Sequence, residues 1–228
     1  MKHNKRIIKA LIFDFDGLIL DTETPGYNSW KYIFKNLGYN LKFQDWAPKI
    51  GNPLHDTENK ILLKLKKTPT EIEQIKVKRN TIYKNLLEKQ SLRPGIPKLL
   101  KNAKNLKLKI GIASSSDRNW ITKHLIKYNI LDQFLIIISK DDVSQIKPAP
   151  EIYLKALKAL KIDNPKEALA IEDSPIGILA AKAAGITCLA YPNNLTKNLD
   201  LKAADMILEN LESIKLRTLL SDLGFSAN

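Results

Sequence analysis

Cysteine is almost missing from this chain: Cys188 is the only one in 228 residues. A single cysteine excludes an internal disulfide and a cysteine metal cluster. Its setting in the apolar run from Ile186 to Ala190 marks a buried, inert thiol. Histidine is scarce too, and His3, His55 and His124 have no metal-ligand spacing, so they read as surface or packing residues. No apolar run approaches the roughly 20 residues that span a bilayer, so no membrane partner is expected. The basic start leads straight into Ile7 to Phe13 rather than into a cleavage site. A signal peptide is therefore not expected, and the cytoplasm is the expected compartment. Internal repeats and low-complexity tails are absent as well.

Acidic residues are the minority charge, and arginine is the minority base. The net charge is +13, but only five of the 37 basic residues are Arg. Between Thr24 and Ser91 there are 13 Lys and Arg against 6 Asp and Glu, a net of +7 that leaves +6 for the rest. A lysine-rich composition accounts for this most simply, with attraction of an anionic substrate next. Nucleic acid is not an expected partner, because no aromatic-basic interleaving or DNA-reading motif accompanies the charge.

What the chain does have is 44% hydrophobic residues, ample for a core, in a regular alternation. Short apolar runs at Ile7 to Phe13, Leu108 to Ala113, Phe134 to Ile138, Ala168 to Ile171 and Ile186 to Ala190 read as buried strands. Amphipathic stretches near Trp120 to Tyr128, Pro150 to Leu160 and Ile176 to Ala184 read as the helices between them. Apolar strands separated by helices predict an α/β fold with a Rossmann-like parallel sheet covered on both faces. Residues 24–91 break the alternation and read as helices only, too long for an ordinary connection. They are expected to form an inserted helical subdomain, with residues 1–23 and 92–228 as the core.

The polar chemistry gathers where those strands end. Asp14 and Asp16 close the first strand, and side chains at i and i+2 of a strand share one face. Two acids on one face repel unless a cation or a proton lies between them. Such a pair suits a metal-assisted reaction in which one acid attacks and the other handles a proton. Ser114, Ser115 and Ser116 follow Leu108 to Ala113, Lys147 lies between Ile138 and Pro148, and Glu172 and Asp173 follow Ala168 to Ile171. Open parallel sheets bind ligands at these carboxyl ends. Asp14, Asp16 and Asp173 offer hard oxygen ligands suited to Mg²⁺. Ser114 and the backbone N–H groups of the next helix suit an anion, and Lys147 adds positive charge. Together they describe a pocket for a phosphoryl group beside a divalent cation.

In these motifs the chain resembles the haloacid dehalogenase superfamily, in its beta-phosphoglucomutase-like and sugar-phosphate phosphatase branch. Asp14-Phe15-Asp16-Gly17-Leu18, Ser114, Lys147-Pro148-Ala149-Pro150-Glu151 and Glu172-Asp173-Ser174 match the four family signatures in order, over about residues 6–213. The resemblance implies that Asp14 is the nucleophile, forming an aspartyl-phosphate, and that Asp16 is the acid and base. It implies a Mg²⁺ held by Asp14, the Asp16 carbonyl, Asp173 and Glu172, with Ser114, Ser115 and Lys147 on the phosphate. It also implies that residues 24–91 are a substrate-selecting cap, with Gly51, Asn52 and Arg79 as substrate residues. The mutases carry a cap histidine where this chain has Gly26, and the loop Gly51-Asn52-Pro53-Leu54 lacks their arginine. The expectation is therefore a Mg²⁺-dependent phosphatase of a small phosphorylated metabolite, acting as a monomer or weak dimer. A phosphomutase is the alternative, ahead of a dehalogenase or a non-catalytic binding protein.

Overall fold

Four consecutive apolar residues, Ala10-Leu11-Ile12-Phe13, are wholly buried and form the central strand of the sheet. No polar side chain interrupts them, as a strand covered on both faces requires. A computed structural model describes residues 6–52 and 55–226. His3 and the Pro53-Leu54 part of the cap loop therefore lie outside the described residues.

In chain order, β1 is Arg6–Ile7 and β2 is Ala10–Phe13, and α1 (Glu23–Asn36), α2 (Phe43–Trp46), α3 (Thr57–Lys64) and α4 (Pro69–Glu88) follow. Next come α5 (Ile96–Asn105), β3 (Lys109–Ala113), α6 (Arg118–Lys127), β4 (Ile136–Ile138) and α7 (Glu151–Ala159). The chain continues through β5 (Ala168–Glu172), α8 (Pro175–Ala183), β6 (Thr187–Ala190), β7 (Met206–Ile207), α9 (Leu216–Asp222) and β8 (Phe225–Ser226). The main sheet has the order β4-β3-β2-β5-β6-β7, with every pair parallel. The expected α/β parallel sheet is present.

The connection out of β3 runs one way along the sheet, and β5 returns on the other side of β2. That reversal opens a crevice at the carboxyl ends of β2, β3 and β5. Beneath it, Ile152, Tyr153 and Ala156 of α7 and Ile178, Ala180 and Ala181 of α8 pack against Ile12, Ala113 and Ala170.

Three local readings change. The run Ile7 to Phe13 is two strands, because β1 pairs with β8 in a separate two-stranded sheet. Within residues 92–228, the chain also forms β7, α9 and β8, which the apolar runs do not mark. These elements are short and partly exposed, so they carry little periodic signal. Finally, α5 occupies Ile96–Asn105, directly after Gly95.

The described residues up to Leu20 and from Leu92 form one compact unit, and Asp21–Ser91 form another. The second unit is helical. Its α1 and α4 pack together, and Trp30 stacks on Phe34 with ring centroids 5.3 Å apart. A capping box starts α4: Glu71 N–H donates to Thr68 Oγ1, and Thr68 N–H donates to Glu71 Oε2. No described helix is long and apolar enough to cross a membrane.

Candidate active site

The carboxyl ends of β2 and β5 bring Asp14, Glu172 and Asp173 together. All three are buried, and their oxygens lie within 4.8 Å of one another. Strand register explains the approach, since Phe13 is level with Ile171 and the next residues are Asp14 and Glu172. The Lys147 ammonium answers part of this charge. Lys147 Nζ donates at 2.6 Å to Asp14 Oδ1 and at 2.6 Å to Glu172 Oε1. Tyr153 Oη donates to the same Glu172 oxygen at 2.5 Å, and its ring lies 5.2 Å from the ammonium.

Burial dominates the electrostatics here. It pushes the Asp14 carboxyl up to about 8; Lys147 pulls it down, while Glu172 and Asp16 push it further up. For Lys147, burial alone would lower the ammonium, but the Asp14 and Glu172 charges outweigh it and hold it above its ordinary value. Tyr153 is pushed well above its ordinary value by burial and then by Glu172. It therefore stays a donor to that carboxylate.

Two glycines make the close approach possible. Gly17 has φ +79°, and a Cβ there would fall 2.2 Å from Asp173 Oδ2. A Cβ on Gly177 would fall 2.0 Å from Glu172 Oε2. That carboxylate cannot retreat, because Lys147 and Tyr153 hold its other oxygen. Gly177→Ala is therefore expected to destabilise the fold by about 1–3 kcal/mol, the usual range for overpacking. Thermal unfolding of the metal-free variant checks this, and an unchanged melting temperature would show that Glu172 has room to move.

Asp16 points elsewhere. Its Oδ2 accepts from Ser116 Oγ at 2.6 Å and its Oδ1 from Trp120 Nε1 at 2.9 Å. Ser114 and Ser115 follow β3 on the same sheet edge. Ser114 Oγ accepts from Ser116 N–H, whereas Ser115 Oγ is buried without a partner. Glu172 Oε2 is a second buried oxygen without a partner. A buried polar atom left this way costs about 1–3 kcal/mol unless something fills its bond. Both orphans adjoin the carboxylate cluster in sequence or on the sheet edge, where a ligand could satisfy them.

Gly51, Asn52 and Arg79 belong to the helical unit. Gly51 N–H donates to Glu23 Oε1, and Asn52 N–H donates to Lys49 O. Arg79 Nε donates to Ser29 Oγ, with the guanidinium over the rings of Trp30 and Tyr83. Its Nη2 lies 3.7 Å from where a Cβ on Gly26 would be.

This geometry can be set against known proteins. The family of haloacid dehalogenase-like hydrolases matches residues 11–191. The chain belongs to that family. A Bacillus subtilis (strain 168) relative, the candidate phosphatase YhcW, is 42% identical over 96% of this chain and 99% of its own. Beta-phosphoglucomutase of the same organism is 31% identical over 93% of this chain and 94% of its own. Among solved structures, Rhodobacter sphaeroides CbbY in complex with phosphate superposes with a TM-score of 0.71 at 26% identity. That alignment covers 91% of this chain and 96% of CbbY.

Within this hydrolase, five polar residues that the motifs do not mark hold the site in shape. Tyr153 tethers Glu172, and Ser116 and Trp120 hold Asp16. Asn193 Nδ2 donates to Asp173 Oδ2 at 2.9 Å and to Gly17 O at 3.2 Å. Arg93 ties the same turn down through Gly17 O, Tyr191 O and Pro192 O. In the sequence, Trp120 and Tyr153 read as ordinary helix positions. The one available signal was Ser116, the third serine of its run.

Proposed function

We propose that this hydrolase is a Mg²⁺-dependent phosphatase of a small phosphorylated metabolite, most simply a sugar phosphate, working through an aspartyl-phosphate on Asp14. The observation that carries the reading is the buried set of Asp14, Glu172 and Asp173, with the Lys147 ammonium between Asp14 and Glu172.

The residues fit a divalent cation. Three buried carboxylates lie together, Glu172 Oε2 lacks a partner among the described residues, and every donor is a hard oxygen. Asp14, Asp173, Glu172 and the Asp16 backbone carbonyl would hold Mg²⁺. Bound there, the ion supplies positive charge for the carboxylates and for the phosphoryl oxygens. The need for that charge follows from Asp14, which burial pushes up to about 8 even with Lys147 in contact. A carboxylate must be ionised to attack phosphorus, so Lys147 alone is not sufficient at neutral pH.

The protein's own groups then divide the work. Asp14 attacks phosphorus and splits one transfer into two steps. Asp16 protonates the leaving oxygen and later takes a proton from the hydrolytic water. Lys147, Ser114 and Ser115 bind phosphoryl oxygens as charge builds on them. The helical unit serves as the cap, with Gly51, Asn52 and Arg79 selecting the substrate, and the enzyme works in the cytoplasm as a monomer or weak dimer.

A phosphomutase reading draws support from the 31% identical beta-phosphoglucomutase. Hydrolysis is favoured because Gly26 carries no imidazole to direct the phosphoryl group to a sugar, and because YhcW, at 42%, is named for phosphatase activity.

The test is turnover of p-nitrophenyl phosphate with Mg²⁺. A chelator should abolish it, and Asp16→Asn should lower it by about 10²- to 10⁴-fold, the usual range for a lost general acid or base. Activity that survives the chelator contradicts the metal requirement, and an Asp16→Asn variant running at full rate removes Asp16 from the chemistry. Beta-glucose 1-phosphate with its bisphosphate belongs in the same screen, where isomerisation without phosphate release would favour the mutase.

A further inference from the structure

The two oxygens of Asp16 are not equivalent. Oδ1 accepts from the Trp120 indole at 2.9 Å, and Oδ2 accepts from the Ser116 hydroxyl at 2.6 Å. An indole N–H can only donate, whereas a hydroxyl can donate or accept. A proton on Oδ1 would face the indole hydrogen. A proton on Oδ2 meets a hydroxyl able to reverse its bond.

Both donors are held firmly. Trp120 lies in the first turn of α6, and its ring lies 4.2 Å from that of His124, tilted by 56°. His124 Nδ1 lies 2.8 Å from Trp120 O, and the same imidazole packs 6.0 Å from Phe15, the residue between the two aspartates. Ser116 N–H donates to Ser114 Oγ, and Ser116 O accepts from Lys140 N–H. Neither side-chain donor belongs to the cluster of Asp14, Glu172 and Asp173.

We propose that Trp120 and Ser116 form a clamp that orients Asp16 and makes Oδ2 the oxygen through which it passes protons. The proposal rests on the acid and base reading of Asp16 and goes beyond it by naming the residues that position that acid. In the first half-reaction the leaving oxygen displaces the Ser116 hydroxyl at Oδ2. The bond from Asp14 to phosphorus forms, the bond from phosphorus to the leaving oxygen breaks, and that oxygen takes the Oδ2 proton. In the second half, water bonds to phosphorus and gives its proton to Oδ2 as the Asp14–phosphorus bond breaks. Trp120 never gives up its proton. It is a positioning residue, and its indole keeps Oδ1 out of the exchange.

The clamp has a signature that general loosening of the site lacks. An acid matters most when the leaving group is poor, so a misplaced Asp16 should cost phenyl phosphate more than p-nitrophenyl phosphate. Trp120→Phe keeps an aromatic ring against His124 and deletes the N–H. Its kcat with phenyl phosphate should fall about tenfold more than with p-nitrophenyl phosphate, with both KM values little changed. Equal losses on the two esters, or no loss, overturn the clamp. A readout independent of turnover is the ¹⁵N–¹H signal of the Trp120 indole, which should move in Asp16→Ala. A signal that stays in place overturns the proposal, and it decides the matter even if Trp120→Phe fails to fold. Full activity in Asp16→Asn would instead strike the underlying acid and base reading.

Discussion

Asp14→Asn is expected to lower p-nitrophenyl phosphate turnover by at least about 10⁴-fold, as loss of a covalent nucleophile does, and to stabilise the metal-free fold. The two effects share one cause. Asp14 is buried beside Glu172, and its carboxyl is pushed from 3.8 up to about 8. The folded protein therefore binds a proton that the unfolded chain has released between about pH 4 and pH 8. The stability linked to that proton is complete below about pH 4 and is lost as pH rises through about 8. The steepest slope for one group is about 1.4 kcal/mol per pH unit. Without metal, the wild-type melting temperature should thus fall between pH 5 and pH 8. Asparagine keeps an oxygen for Lys147 and carries no charge, while Lys147 remains paired with Glu172. The variant should therefore melt higher at pH 8, by an amount that shrinks toward pH 5. Thermal scans in chelator at both pH values check the stability half, and retained turnover would sink the nucleophile assignment. A variant with the same pH slope as wild type would place the titrating group elsewhere.

The residues of this cluster were legible in the sequence for a physical reason. Asp14, Glu172 and Asp173 follow apolar runs directly, and parallel strands in register must bring such ends together. Lys147 was legible through its flanking prolines, though not its double contact with Asp14 and Glu172. What stayed hidden depends on contacts between distant segments. Trp120 reaches Asp16 across 104 positions and Asn193 reaches Asp173 across 20, and neither residue differs locally from a packing or turn residue. Tyr153 is similar: its helical spacing accounts for the buried ring, while its hydroxyl needs the neighbouring strand to reveal a partner. In the fold, β7 and β8 escaped because two-residue strands have no period to detect. The split between β1 and β2 escaped because Lys9 is a single polar residue inside an otherwise apolar stretch from Ile7 to Phe13. Only the pairing of β1 with β8 separates them.

Lys147→Met is expected to have the opposite effect on stability from Asp14→Asn. Methionine keeps an unbranched apolar stem but leaves Asp14 and Glu172 buried with no ammonium between them. Removing one partner of a buried ion pair costs about 3–5 kcal/mol. For a chain of this size that is a fall in melting temperature of about 10 °C in metal-free buffer at pH 8. Loss of the cation also raises the Asp14 carboxyl further, because Lys147 is what pulls it down, so folding takes up a proton over a wider pH span, and the deficit should shrink as pH is lowered toward 5. Added Mg²⁺ should recover much of the stability, because the carboxylates again have a counter-charge. It should not recover turnover, because Lys147 is also proposed to bind the phosphoryl oxygens while charge develops on them. That divergence separates the two tasks of one side chain. If Mg²⁺ restores the melting temperature and the rate together, Lys147 serves only to neutralise its neighbours. If it restores the fold and leaves the rate down by 10²-fold or more, about 2.7 kcal/mol in the barrier, the ammonium acts on the transferring group itself.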